Sequence, residues 1–263
     1  VGSHEQGPPF DLTTTRIRLL YQIPIAPARG RALEFSIDGN SILRGRNWAG
    51  EFTIVDVSGS AVSLSAAGAD AGSGDGQLSV CVADYAKALP FSDGSIDVVV
   101  LHRTLDHLPA LAKRQARAFV IRDFLKQVAR ILAPGGLVLG CVENRYGLEH
   151  LVHGAKRALR RTGGVPGESG LSRPLSVPGC HRALAAAGFE EIRLFSMVPA
   201  ADSPFKALSI EPGWSRRACL RQVEAMRTLV GPSSYVVWRT LAELGISQYF
   251  SAAVCFWGRK GQL

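Results

Sequence analysis

No run of about 18 consecutive apolar residues occurs in the 263-residue chain, so the sequence predicts no transmembrane helix. No Cys-x-x-Cys pair occurs either. The five cysteines, Cys81, Cys141, Cys180, Cys219 and Cys255, lie far apart, which argues against a zinc site or a redox pair. Cys81, Cys141 and Cys255 sit inside apolar, strand-like runs and read as small core residues. The opening VGSHEQGPPF is polar and Pro/Gly-rich, without the pattern of a secretory leader. Together these absences predict a reducing, cytoplasmic location. Residues 1–4 read as a cloning remnant and stand outside the functional argument. No internal repeat and no basic stripe interleaved with aromatics is visible, so nucleic acid ranks lowest among the partners.

The composition itself is that of an ordinary globular chain, 46% hydrophobic and 20% charged, long enough to bury a full core. Thirty Lys and Arg stand against 22 Asp and Glu, a net charge of +8, which favours an anionic partner. The densest basic stretches are HGAKRALRR (153–161) and WSRRACLRQ (214–222). Both also read as solvated helix faces.

Short apolar runs recur along the chain: RALEFS (31–36), EFTIVDVS (51–58), LSVCVAD (78–84), SIDVVVLH (95–102), GLVLGCVEN (136–144), FEEIRLFSMV (189–198) and YFSAAVCFWGRK (249–260). The early ones are continuous rather than alternating, as in parallel strands buried on both faces. Helical patterns lie between them. In RQARAFVIRDFLKQVARILA (114–133), Ala118, Ile121, Leu125, Val128 and Leu132 recur at three- and four-residue steps, the stripe of an amphipathic helix. Pro134-Gly135-Gly136 predicts its end. CHRALAAAGF (180–189) predicts a shorter helix stopped by Gly188. This alternation predicts a doubly wound α/β sheet of seven mostly parallel strands with flanking helices. Its ligand would lie at the carboxyl ends of the strands. Segments 145–180 and 200–245 read as substrate-side or lid insertions into one domain spanning 5–263. The stretch 205–245 has helical character.

The most specific stretch is ADYAKALPFSDGSIDVVVLHRTLDHL (83–108), followed by FLKQVARILAPGGLVLGCVEN (124–144). An acidic residue closes a strand. An LPF turn, a D-G-S-I-D-V-V-V strand and a Leu/His-rich turn follow, then a helix ending R-I-L-A-P-G-G. In order and spacing this resembles the class I S-adenosylmethionine-dependent methyltransferases, whose fold is Rossmann-like. The resemblance implies S-adenosylmethionine as cofactor and assigns the earlier ALEFSIDGNS (32–41) to the first strand and cofactor loop. There the family carries an acidic residue, here Glu34, and a G-x-G-x-G loop. Glycines let the backbone turn tightly against the ligand. Here the matching positions hold Ser36, Asp38 and Asn40, with one glycine displaced to Gly39. Asn and Asp tolerate left-handed backbone better than most residues, so the turn itself can survive.

The resemblance further implies that Asp56, ending the second strand, accepts both ribose hydroxyls, as a carboxylate can. Asp84, ending the third, contacts the adenine amino group, and Leu101 faces the cofactor. Both carboxylates also suit turns or helix caps. His107 in LDHL is the candidate general base for a hydroxyl acceptor, with His102 next, because neutral imidazole has a suitable pKa. Asn144, Arg145 and Tyr146 follow the fifth strand and are candidate acceptor contacts, Arg145 suiting a carboxylate or phosphate. His150 and His153 share a helical spacing, but no third ligand lies nearby, so no metal is expected.

Two functions follow as expectations. The first is methyl transfer to a small-molecule or sugar acceptor, at oxygen, in a biosynthetic pathway. The second keeps the fold without methyl transfer, as a partner subunit or with other pocket chemistry, because all three loop glycines are replaced.

Overall fold

A computed structural model of the chain describes residues 30–36, 51–56, 78–82, 88–111, 117–147, 175–199, 204–210, 220, 223–224, 227, 232–251 and 253–262. The strands are β1 (Ala32–Ser36), β2 (Phe52–Asp56), β3 (Leu78–Val82), β4 (Ile96–His102), β5 (Leu132–Glu143), β6 (Phe189–Pro199), β7 (Pro204–Ser209) and β8 (Ala253–Lys260). The helices are α1 (Thr104–Leu111), α2 (Arg117–Ile131), α3 (Val177–Ala186) and α4 (Pro232–Glu243). All eight strands form one sheet in the order β3-β2-β1-β4-β5-β8-β6-β7. The pairs β1–β2, β1–β4, β2–β3 and β4–β5 are parallel. β8 runs antiparallel to both β5 and β6, and β7 antiparallel to β6. Six strands therefore point one way, and only β7 and β8 oppose them.

The expected doubly wound sheet is present, with one strand more than the seven expected. The addition is β7, which pairs back onto β6 from Phe195↔Ser209 to Pro199↔Pro204. It lies inside the 200–245 segment read as a lid and opens the 205–245 stretch read as helical. Pairing to β6, not local propensity, sets its extended backbone. Helical structure does follow within that segment, at α4.

Two apolar layers cover the sheet. On one face α1, α2 and α3 pack Leu105, Leu108, Ile121, Leu125, Val128 and Leu184 against Leu33, Phe35, Val99 and Leu101. The rings of Phe35 and Phe124 meet edge to face at 5.0 Å, a favourable aromatic geometry. The opposite face carries Ile54, Val98, Val100, Leu139, Cys141 and Cys255. Burial on both faces is why the early runs are continuous rather than alternating. Ile121, Leu125 and Val128 form the buried stripe their spacing predicted.

Helix ends show local causes. α2 stops at Ile131 and β5 begins at Leu132, two residues before the expected end of the helix. Gly135 then takes the left-handed φ of +74° that the turn requires. Lys260 Nζ donates to the Leu132 carbonyl at 2.6 Å, placing a cation at the helix C-terminus, where it is favourable. Arg130, in the last turn of α2, donates to the Phe91 and Leu89 carbonyls at 3.0 and 2.9 Å and pairs with Asp93. It thereby staples the LPF-S-D-G turn to the helix. α3 starts at Val177, three residues earlier than expected, because the Ser176 hydroxyl accepts from Gly179 N as an N-cap. Gly188 terminates it at φ +92°. No helix among the described residues is long and apolar enough to cross a membrane.

Candidate functional site

The carboxyl ends of the parallel strands gather one set of polar residues. Ser36 is in register with Asp56, and Asp56 with Val82, so β1, β2 and β3 end at one level. Ser36 is the last residue of β1 and has extended strand backbone. Arg103 and Glu191 are the non-glycine residues with positive φ among those described, and Ser36 is not one of them. The first of the three missing glycines is therefore at a position that does not demand one. Glu34, two residues earlier, is 1% exposed and lies between Ile54 of β2 and Val100 of β4. The side chains of Ser36 and Asp56 lie outside the described residues, as do Asp38, Gly39, Asn40 and Asp84 altogether.

The β4–α1 junction builds the next part. Leu101 is fully buried and His102 half-buried. Arg103 follows at φ +55°, and its N–H donates to the Cys141 carbonyl of β5 at 2.8 Å. Its guanidinium pairs with Glu143 at the end of β5. Thr104 opens α1, and its hydroxyl donates to the Phe35 carbonyl at 3.1 Å, tying the end of β1 to the start of the helix. Asp106, buried in the first turn of α1, accepts from the Glu143 N–H at 2.9 Å. His107 lies on the same turn, with its side chain outside the described residues.

Beyond β5 the roles separate. Asn144 is completely buried. Its amide nitrogen donates to the Tyr249 and Ser251 carbonyls, both at 2.8 Å, and its amide oxygen accepts from Tyr146 N at 3.2 Å. Both amide hydrogens and the oxygen are thus engaged within the chain, so its expected contact with an acceptor gives way to a role in shaping the segment. Arg145 N donates to the Leu175 carbonyl at 3.0 Å. The Arg145 guanidinium lies 5.8 Å from the ring centre of Tyr146, and both side chains are exposed.

The structure thus brings Leu101, His102, Arg145 and Tyr146 to the ends of the central strands or the turns beyond them, and buries Glu34 in the middle of β1. Thr104, Asp106 and Glu143 escaped sequence reasoning. The signal available for one pair was a cation and an anion, Arg103 and Glu143, closing two strands that the fold makes neighbours.

A family model described as a methyltransferase domain matches residues 39–140. Over those residues the chain is similar to methyltransferase domains. Among solved structures, a SAM-dependent methyltransferase from Thermotoga maritima, described as a possible histamine N-methyltransferase, is 14% identical. It aligns over 95% of this chain and 91% of that one with a TM-score of 0.53. A SAM-dependent methyltransferase from Archaeoglobus fulgidus is 11% identical over 95% and 93%, with a TM-score of 0.55. The Haloferax volcanii complex between the Trm112 methyltransferase activator and a putative methyltransferase is 17% identical over 96% and 90%, with a TM-score of 0.51. These likenesses are of fold. No curated protein matches the chain.

The residue types and backbone at these strand ends are compatible with S-adenosylmethionine, the cofactor of the methyltransferases the chain resembles. A carboxylate-bearing residue, Asp56, closes β2 directly beside the end of β1, and its chemistry suits a ribose diol. The extended backbone of Ser36 is compatible with the chain path at the first glycine position.

Proposed function

We propose that this chain transfers a methyl group to a small-molecule or sugar acceptor, with oxygen as the accepting atom, in a biosynthetic pathway of the cytoplasm. The observation that carries the reading is the common level at which β1 and β2 end, with Ser36 opposite Asp56. In this reading Asp56 accepts hydrogen bonds from both ribose hydroxyls. Asp84 takes the adenine amino group, and Glu34, Ser36, Asp38 and Gly39 form the wall beside the amino-acid end. Leu101 supplies an apolar surface. The cofactor, when bound, supplies an electrophilic methyl group on a sulfonium.

The chain's own task is alignment and exclusion of water. His107, or His102 at the end of β4, takes the acceptor's hydroxyl proton as the new C–O bond forms and the C–S bond breaks. Arg145 and Tyr146, exposed beyond β5, face the acceptor. With the net charge of +8, Arg145 favours one that carries a carboxylate or phosphate. Asn144 holds their segment in place.

Isothermal titration of the folded chain with S-adenosylmethionine and S-adenosylhomocysteine tests this directly. Both should bind, and Asp56→Ala should weaken both at least tenfold. Absence of heat with well-folded protein would sink the reading.

A second reading, a methyltransferase fold kept as a partner subunit, is favoured by Asp38 and Asn40 at glycine positions. The similar Haloferax volcanii protein is held by an activator, so association with a partner is compatible with this fold. In that case the triple variant Ser36→Gly, Asp38→Gly, Asn40→Gly should gain cofactor binding that the native chain lacks.

A further inference from the structure

The sheet reverses its winding between β1 and β4. From β1 the strands run outward through β2 to β3, and from β4 they run the other way to β5. In open α/β sheets a ligand crevice lies at such a switch point, outside the carboxyl ends of the strands. The register shows where these two strands part. Pairing of β1 with β4 runs from Ala32↔Val98 to Glu34↔Val100. The flanking ladders continue further, β1 with β2 to Ser36↔Asp56 and β4 with β5 to His102↔Cys141. Phe35 and Ser36 on one side, and Leu101 and His102 on the other, thus keep their outer partners while the pairing between β1 and β4 has ended.

The Thr104 side chain spans this gap. Thr104 opens α1, and its hydroxyl donates to the Phe35 carbonyl at 3.1 Å, with the His102 carbonyl at 3.4 Å. A threonine at the start of a helix ordinarily turns its oxygen to an N–H of the first turn. Here the hydroxyl proton goes to a strand 69 residues away. Thr104 is completely buried, so the bond is shielded from water. Phe35 is held from the other side as well, because its ring meets Phe124 of α2 edge to face.

Arg103 completes the arrangement. It holds φ +55°, a strained conformation for a residue other than glycine, which persists where the surroundings enforce it. Its N–H is bonded to the Cys141 carbonyl and its guanidinium pairs with Glu143. Arg103 therefore clamps to β5, and the next residue clamps to β1. The start of α1 straps the two halves of the sheet together across β4.

We propose that Thr104 is a positioning residue for the cofactor, whose hydroxyl fixes the separation of β1 and β4 at the switch point and holds the crevice at the width S-adenosylmethionine requires. This rests on the cofactor reading under Proposed function. A completely buried side chain acts here through the Phe35–Ser36 peptide at the end of β1 rather than by touching the ligand. Without the strap the two strands sample other separations, and the apparent affinity falls with the fraction of chains at the binding width.

The test is isothermal titration of the full chain with S-adenosylmethionine and S-adenosylhomocysteine, alongside thermal unfolding of each variant. Thr104→Val keeps the shape of the side chain and removes the donor. Thr104→Ser keeps the donor and removes a methyl group. Both should lower the unfolding temperature. Thr104→Val should weaken both ligands at least about tenfold, the order of one buried hydrogen bond. Thr104→Ser should stay within about threefold of the native affinity. Affinity then follows the hydroxyl and not the stability, a split that a merely structural role would not produce. If Thr104→Val does not fold, Thr104→Ala takes its place with the same expected loss. Native affinity in the folded variant that lacks the hydroxyl would overturn the inference and leave the cofactor reading standing. Equal losses in Thr104→Ser and Thr104→Val would do the same. A native chain that binds neither ligand would overturn the cofactor reading and this inference together.

Discussion

Arg103 and Glu143 join the carboxyl ends of β4 and β5 through an ion pair, and Arg103 does so from a left-handed backbone at φ +55°. Left-handed backbone costs a non-glycine L-residue about 1–2 kcal/mol. The pair is 35% and 22% exposed, so solvent screens much of its Coulomb energy. Arg103→Gly should therefore be more stable than Arg103→Ala by about 1 kcal/mol, the reverse of the usual order for these two residues in a regular element. Urea unfolding of the two variants compares them directly. An alanine variant at least as stable as the glycine variant would show that the backbone relaxes when the guanidinium is gone.

Asn144 is the hinge between β5 and the exposed Arg145–Tyr146 pair. Asn144→Ala removes the donor to the Tyr249 and Ser251 carbonyls, each of which accepts at 2.8 Å, and should cost about 1–3 kcal/mol, the cost of leaving the buried Ser251 carbonyl unsatisfied. Asn144→Asp should cost at least as much, since it sets a carboxylate against two carbonyls. Chemical denaturation measures both. A change under about 0.5 kcal/mol, the range of neutral surface substitutions, would mean that water takes the amide's place.

The same residue marks how far the sequence could be read. Residue type showed that position 144 is polar and follows a strand. It did not show that the amide aims at backbone 105 and 107 residues away, because that contact exists only once β8 has docked on β5. The central sheet was legible because its signals are local: unbroken apolar runs, the Ile121–Leu125–Val128 stripe, and glycines at the turns. β7 was not legible. Pro204, Lys206 and Ser209 give an edge strand little pattern, and its structure comes from β6. At Ser36 the family pattern suggested a glycine, whereas the residue has extended strand backbone that any residue adopts. What sequence left open at the loop thus narrows to Asp38 and Asn40.

Gly140 and Phe256 are paired across β5 and β8. A Cβ placed on Gly140 would lie 2.2 Å from Phe256 Cζ and 2.9 Å from the Leu101 carbonyl oxygen. Gly140→Ala should destabilise the chain by about 1–3 kcal/mol, the range for overpacking a core. Adding Phe256→Leu should recover part of that loss, so the two changes should be non-additive by at least about 0.5 kcal/mol. A double-mutant cycle in urea reads the coupling. Strict additivity would place the strain on the Leu101 carbonyl rather than on the ring.

Two buried thiols set the alkaline side of the stability profile. Burial pushes the Cys180 thiol well above its ordinary range, with Asp106 adding to the effect. The hydrogen bond with Cys255, then burial, push Cys141 up as well. The folded chain therefore keeps protons that the unfolded chain releases from about pH 8.5 upward. The unfolded state then binds fewer protons, and the free energy of unfolding falls as pH rises. The stabilisation is complete below the unfolded pKa and is lost above it, by up to about 1.4 kcal/mol per pH unit for each thiol. Urea unfolding between pH 7.5 and 10 should show this decline, and Cys180→Ala should roughly halve its slope. An undiminished slope in that variant would assign the alkaline loss to other groups, leaving Cys180 protonated in both states or ionised in both.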